Sequence, residues 1–259
     1  MREKDVVLSS EKIRKALGKR APLLEIRTFD LIDSTNTEAK RIAAGGYGGM
    51  LLIAAEEQSG GRGRMGRSFY SPGRTGAYFS LLYRPAASLD SAVTVTCAAS
   101  VAAMRAIRTL TGRTCGIKWV NDLYLDGRKV CGILTECVSD GIDSYIIVGI
   151  GININTSFAD SELSDIAGSL GREELSPAEV IAEVTAELLF LLDSGCEKAW
   201  LEEYREASIV LGKRITFIEN GIPKEGIAHS IDERGGLNVL LEDGKTVRLF
   251  SGEISLKMQ

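Results

Sequence analysis

The chain is predicted to adopt an α+β fold, a central mixed or antiparallel β-sheet with helices packed on it, followed by a small all-β unit. Three observations predict it. Between residues 116 and 155, apolar strand-like runs are joined by antiparallel turn signals. Two helical stretches, 86–111 and 177–193, are apolar and long enough to cover a sheet. Beyond Leu211 the texture changes to short strands punctuated by Asn220-Gly221, Gly235-Gly236 and Asp243-Gly244, which reads as an all-β barrel of roughly fifty residues. The boundary falls near Ser208 to Lys213, dividing the chain into domains 1–210 and 211–259.

Ser9 to Lys19 places Ile13 and Leu17 at helical spacing and stops at Gly18, a short leading helix. Leu24 to Ile32 reads as a strand. Asp33-Ser34-Thr35-Asn36-Thr37-Glu38 then supplies a dense N-cap signal for a helix over Thr35 to Ala44. Capping alone would explain these polar groups; at a helix N-terminus beyond a strand end they could equally hydrogen-bond a small ligand. Met50 to Glu56 is the next strand, and Gly76 to Arg84 another, aromatic, without helical period and closed by Pro85. Ala86 to Thr111 is alanine-rich and predicts a long helix close to the sheet. Gly116 to Leu125 is a strand pair interrupted at Asn121-Asp122. Asp126-Gly127 is a two-residue hairpin signal, and Arg128 to Glu136 returns antiparallel, bringing Lys118, Asp122 and Lys129 together. Ser144 to Asn155 carries Gly149 and Gly151 inside an apolar strand, which packing explains as readily as close approach of a ligand. Residues 156–175 are loop-like. Ser176-Pro177-Ala178-Glu179 is a capping box opening a helix to Asp193, and Glu197 to Ala207 forms another helix.

Composition excludes several classes. With 31 basic and 35 acidic residues the net charge is −4, so a basic loop is a local feature and no DNA-binding face is expected. No apolar run approaches membrane-spanning length and nothing at the N-terminus resembles a signal peptide, so a cytoplasmic protein without a membrane partner is expected. The five cysteines form no C-x-x-C pair and lie in apolar or strand-like contexts, which favours buried free thiols. His229 is the single histidine, so histidine triads and histidine-metal sites are not expected.

The densest signal is Gln58-Ser59-Gly60-Gly61-Arg62-Gly63-Arg64-Met65-Gly66-Arg67, which reads as an anion-binding loop between two strands. Glycine lets backbone N–H groups approach a ligand, and arginine offers a charged fork matched to phosphate and carboxylate oxygens. Three forks on one loop repel one another unless an anion lies between them, so a lid that orders around its ligand is expected. A solvated basic loop is the plain alternative. With Lys118, Asp122 and Lys129 nearby and no obvious side-chain nucleophile, the equipment suits a bound carboxylate attacking the α-phosphorus of ATP, with Mg²⁺ and positioning doing the work.

Five blocks then carry a family resemblance: Asp33-Ser34-Thr35-Asn36, Gly61 to Arg67 with Ser71-Pro72 after it, Lys118-Trp119-Val120-Asn121-Asp122-Leu123, Gly127 to Leu134, and Gly149-Ile150-Gly151-Ile152-Asn153. In this order they resemble biotin protein ligase, also called biotin–acetyl-CoA-carboxylase ligase, over about Ile13 to Lys257. The resemblance implies a class II synthetase-like catalytic domain with an SH3-like C-terminal barrel. It further implies two steps: biotin and MgATP give biotinyl-5′-AMP, and a lysine of a biotin carboxyl carrier domain then takes the biotinyl group. ATP and Mg²⁺ are the implied cofactors, with no tightly bound prosthetic group.

By matching motif, Ser34, Thr35, Asn36 and Gln58 would bind the biotin ureido ring, with Gly132 lining the same subsite. Arg62, Gly63 and Arg64 would close over the biotinyl and phosphate groups, with Arg67 supporting the loop. Lys129 would bind the biotin carboxylate and α-phosphate, Lys118 and Asp122 would act at phosphate and magnesium, Asn153 would read the adenine amine, and Phe69 would face the adenine. The family usually has proline at Val120 and tryptophan at Phe69, departures expected to alter ATP affinity rather than activity. Too few residues precede the first strand for a winged helix-turn-helix, so the monofunctional type without a DNA-binding domain is expected, with a homodimer open. Glu253 and Lys257 are expected to reach towards the site or the carrier. Lipoate–protein ligase shares the fold and chemistry without the arginine-glycine loop in this form, and a non-catalytic biotin sensor would need a DNA-reading element.

Overall fold

Seven strands form the central sheet: β1 (Glu25–Ile32), β2 (Leu51–Gln58), β3 (Gly76–Tyr83), β4 (Gly116–Lys118), β5 (Asp122–Leu125), β6 (Arg128–Ser139) and β7 (Ser144–Asn153). This computed structural model describes residues 8–256 apart from 22, 86–91, 140–143, 160, 194–198, 220, 251 and 253. The strand order is β1-β2-β3-β7-β6-β5-β4; β1 and β2 run parallel and every other pair is antiparallel, a mixed sheet as expected. The parallel pair follows from α2 (Thr35–Ala44), which carries the chain back between β1 and β2. At the β5–β6 turn Asp126 and Gly127 both have positive φ, 50° and 77°, which is what a tight hairpin of right-handed twist demands.

Helices cover both faces of the sheet. α1 (Ser10–Leu17) is capped by Ser9, whose Oγ accepts from Lys12 N at 3.3 Å, and ends at Gly18 with φ 59°. It packs with α3 (Ala92–Thr111) and α4 (Pro177–Asp193) over the main core, while α2 lies on the other face above Leu51, Ile53, Leu82 and Ile147. The expected start of α3 at Ala86 lies outside the described residues. Contrary to the sequence expectation, α3 is long and apolar enough to cross a membrane; it is a core helix here, with 72% of its apolar window buried. Cys97, Cys115 and Cys131 are buried free thiols, whereas Cys137 is exposed, against expectation, and Cys196 lies outside the described residues.

After α5 (Ala199–Glu206), strands β8 (Arg214–Glu219), β9 (Ile222–Ile231), β10 (Leu237–Leu240), β11 (Thr246–Leu249) and β12 (Ile254–Leu256) form a five-stranded antiparallel sheet ordered β11-β10-β9-β8-β12. Its edge strands β11 and β12 are not joined by a ladder among the described residues. Buried side chains run continuously from Ile13 to Leu237 and Ile254. Trp119 Nε1 donates to Gly235 O at 2.9 Å, tying the second sheet to the first. A division into domains at 210/211 is therefore a proposal resting on the change from helix to short strands.

Arg105 of α3 clamps two helices at once. Its Nε donates to Glu203 of α5 at 3.0 Å and its second arm to Glu187 of α4 at 3.3 Å. The Arg105 hydrogen bonds outweigh burial and hold the Glu203 carboxyl below the ordinary glutamate value. A depressed folded pKa contributes stability above the unfolded value, about 4.3, which is lost as pH falls through the folded value. Glu203→Gln is expected to lower stability at pH 7 by about 1 kcal/mol, or roughly 2–4 °C in Tm. The gap should narrow as pH falls below the unfolded value and the wild-type carboxylate takes up its proton; melts showing the same gap at neutral and acid pH would contradict this.

Candidate active site

Strand register builds the cleft. Lys118 pairs with Asp122 and Asp122 with Gly132, so the three share one sheet face. Lys129 precedes Gly132 by three residues and in an unbroken strand would point to the opposite face. The β5–β6 register shifts between Leu123 and Tyr124, and this bulge turns Lys129 back onto the face of Gly132. Lys129 Nζ then lies 2.7 Å from Asp122 Oδ1. That oxygen is buried, and the Lys129 ammonium is its charged partner.

Glycines form the floor. Gly151 lies opposite Gly132, and the Phe69 ring rests on the pair: a Cβ on Gly151 would sit 2.5 Å from Phe69 Cε1, and one on Gly132 3.1 Å from Phe69 Cε2. A Cβ on Gly149 would overlap Asn36 Oδ1. Side chains of the site itself therefore demand these glycines.

At one end, the N-terminus of α2 presents a linked polar group. Ser34 occupies the N-cap position but makes no side-chain capping hydrogen bond, so capping does not account for it. Thr35 donates to Gln58 Oε1 from its N at 2.9 Å and its Oγ1 at 3.2 Å, and Gln58 Nε2 donates to Ser71 Oγ at 2.9 Å. Ser80 Oγ lies 2.7 Å from Thr35 Oγ1 and 2.6 Å from Asn36 Oδ1, and its single proton serves only one of them. Asn36 Nδ2 donates to Leu134 O at 3.2 Å and Glu136 Oε2 at 3.0 Å. Both ends of the Asn36 amide are thus engaged within the protein. Ser71, Ser80 and Glu136 were missed in the sequence, because pairings 13, 44 and 100 residues apart leave no local pattern.

The glycine-arginine loop closes the other side as a hydrogen-bonded turn. Gly63 N donates to Arg67 O at 2.7 Å and Phe69 N to Gly61 O at 2.9 Å, with Met65 at φ 54° between them. The expectation that only an anion could relieve its charges needs correction, since protein partners hold two forks apart. Arg64 Nη1 donates to Asn121 Oδ1 at 3.1 Å, and Arg62 Nη1 lies 3.4 Å from Glu136 Oε2.

These parts line a cavity of about 130 Å³ that opens to solvent. Ser34, Thr35, Asn36 and Gln58 line one end, Arg62, Gly63, Arg64, Arg67 and Phe69 the lid, and Lys118, Asp122, Lys129 and Gly132 the wall; Gly252 and Ile254 reach in from the C-terminal sheet. Asn153 is the exception. It does not line the cleft; it is buried, its Nδ2 donates to Gly168 O at 2.9 Å, and its Oδ1 has no partner. Glu253 and Lys257 lie outside the described residues. No cluster of three metal-binding side chains exists among the described residues, and Asp122 is the one carboxylate found lining the cleft. A single carboxylate in the cleft fits a magnesium ion held chiefly by phosphates, and does not fit an all-protein metal cage.

The biotin/lipoate A/B protein ligase family matches residues 28–153, and the biotin protein ligase C terminal domain matches residues 210–257. A bifunctional ligase/repressor BirA of Bacillus subtilis is 35% identical over 184 residues, covering 68% of this chain and 56% of that protein. The chain thus spans little more than half the length of that relative. A biotin--[acetyl-CoA-carboxylase] ligase of Mycobacterium tuberculosis is 27% identical over 233 residues, covering 85% of each. Among solved structures, a biotin protein ligase from Aquifex aeolicus in complex with biotin and ATP superposes with TM-score 0.76 at 28% identity, covering 91% of this chain and 99% of that one.

Proposed function

Because the chain belongs to the biotin/lipoate A/B protein ligase family and carries the C-terminal domain of its biotin branch, we propose that it is a biotin–[acetyl-CoA-carboxylase] ligase. It activates biotin with MgATP to biotinyl-5′-AMP and passes the biotinyl group to a lysine of a biotin carboxyl carrier domain. The convergence of the arginine lid, the Lys118–Asp122–Lys129 wall and the polar end at α2 in one cleft carries this reading.

The biotin carboxylate is the nucleophile, so the protein's task is to bring it in line with the α-phosphorus and to neutralise the charge that develops. Lys129, which lines the cleft beside Asp122, offers one ammonium to both the attacking carboxylate and the α-phosphoryl oxygens. Arg62 and Arg64, each with a donor fork at the cleft, neutralise phosphate and exclude water from a readily hydrolysed anhydride. Ser34, Thr35 and Gln58 bind the ureido ring, and Asn36, engaged at both ends, holds their geometry. Lys118 acts on the departing phosphates. Asp122, together with the nucleotide phosphates, would hold a magnesium ion, which would supply charge neutralisation. Phe69 faces the adenine side. β1 is an edge strand with Leu31 59% exposed, which leaves it available for edge-to-edge pairing of two copies.

A purified carrier domain incubated with the protein, biotin and MgATP should become avidin-reactive at its acceptor lysine. The same carrier with that lysine changed to arginine should remain unlabelled. Lipoylation in place of biotinylation would move the assignment to the lipoate branch of the family.

A further inference from the structure

We propose that Glu136 is a positioning residue that latches the glycine-arginine loop to the sheet and thereby sets the affinity for the acid substrate. The proposal deepens the ligase reading and rests on it for that substrate's identity. Glu136 lies on β6, on the same face as Gly132 and Leu134, but does not line the cleft, so it acts through other residues. Three segments meet at its carboxylate. Lys40 Nζ of α2 lies 2.7 Å from Oε1; Asn36 Nδ2 donates to Oε2 at 3.0 Å; and Arg62 of the loop approaches the same oxygen at 3.4 Å.

Each contact has a separate consequence. Asn36 donating to Oε2 fixes the flip of its amide, so that Oδ1 faces Ser80 and, through it, the Thr35–Gln58 pair. Lys40 occupies the other oxygen and keeps the carboxylate in place. Arg62, sharing Oε2 at a longer distance, is held loosely enough to be released to an anion entering the cleft. Burial alone would raise the Glu136 pKa, but the donors Lys40 and Asn36 and the charges of Lys40 and Arg62 outweigh it, and the carboxyl is held below its ordinary value. The latch is therefore charged at neutral pH.

Hydrogen–deuterium exchange on the protein alone reads the latch without any substrate. Glu136→Gln, which keeps the size and removes the charge, should speed exchange across residues 60–69 by about tenfold, with α3 unchanged. Loop exchange equal to wild type overturns the proposal. In biotin-dependent ATP–pyrophosphate exchange, the same variant should raise KM for biotin about tenfold with kcat within about threefold, and Glu136→Asp should recover part of the loss. A fall in kcat at unchanged KM also overturns it. If wild type shows no biotin-dependent exchange, the ligase reading fails, whereas the hydrogen-exchange result still decides the latch.

Discussion

Lys129→Ala is expected to lower biotin-dependent ATP–pyrophosphate exchange by roughly a hundred- to a thousandfold in kcat, the scale for removing one preorganised charge donor. The bulge in β6 spends one residue of strand register on a single result, Lys129 on the face of Asp122 and Gly132. Nothing else described on that wall can take its place. Lys118 sits one strand further on, its ammonium 5.9 Å from the centre of the Tyr124 ring. Truncation also strands Asp122 beside an apolar floor, with a folding cost of about 1–3 kcal/mol. Lys129→Met, which keeps the stem and loses the ammonium, strands Asp122 as the alanine variant does and spares only the packing, so exchange should fall as far as in the alanine variant while the melt falls no further. Retained exchange in the methionine variant would remove Lys129 from the chemistry.

Asp122→Asn should rank second, with kcat/KM for ATP falling roughly a hundredfold or more. Asparagine preserves the shape and leaves Lys129 without its counter-ion, so Lys129 remains available to the biotin carboxylate. The expected signature is accordingly asymmetric. Biotin binding measured by calorimetry in the absence of ATP should change less than threefold, while the magnesium needed for half-maximal exchange should rise at least tenfold. Equal losses for biotin and ATP would mean that Asp122 acts by holding Lys129 rather than on the nucleotide side.

These two residues also show how far the sequence could be read. Asp126-Gly127 announces a hairpin because both positions take positive φ, and the hairpin brings Lys118, Asp122 and Lys129 into one neighbourhood, though not Lys129 onto their face. α2 was legible to its ends, since strand, N-cap residues and Gly45 bracket it. Long-range pairing was not legible. The bulge that aims Lys129 has no signature in Arg128 to Gly132, and Glu136 reads as one more charge on a strand until Lys40 and Arg62 are folded against it. Asn153 was placed in the cleft by its motif, but its amide is turned to Gly168, a contact set by the loop after β7. The apolarity of α3 was read as that of an ordinary sheet-packed helix, yet it also meets the test of a membrane span. A helix enclosed by a sheet on one side and α4 on the other is mostly apolar, and its buried Thr96 and Ser100 hydroxyls donate to carbonyls one turn back.

The most direct test of the central claim is ATP–pyrophosphate exchange with biotin or lipoate as the only added acid, run on wild type and Lys129→Met. The account predicts exchange with biotin, none with lipoate, and loss of the biotin signal in the variant. Exchange driven by lipoate alone, or a biotin signal undiminished without the Lys129 ammonium, would contradict it.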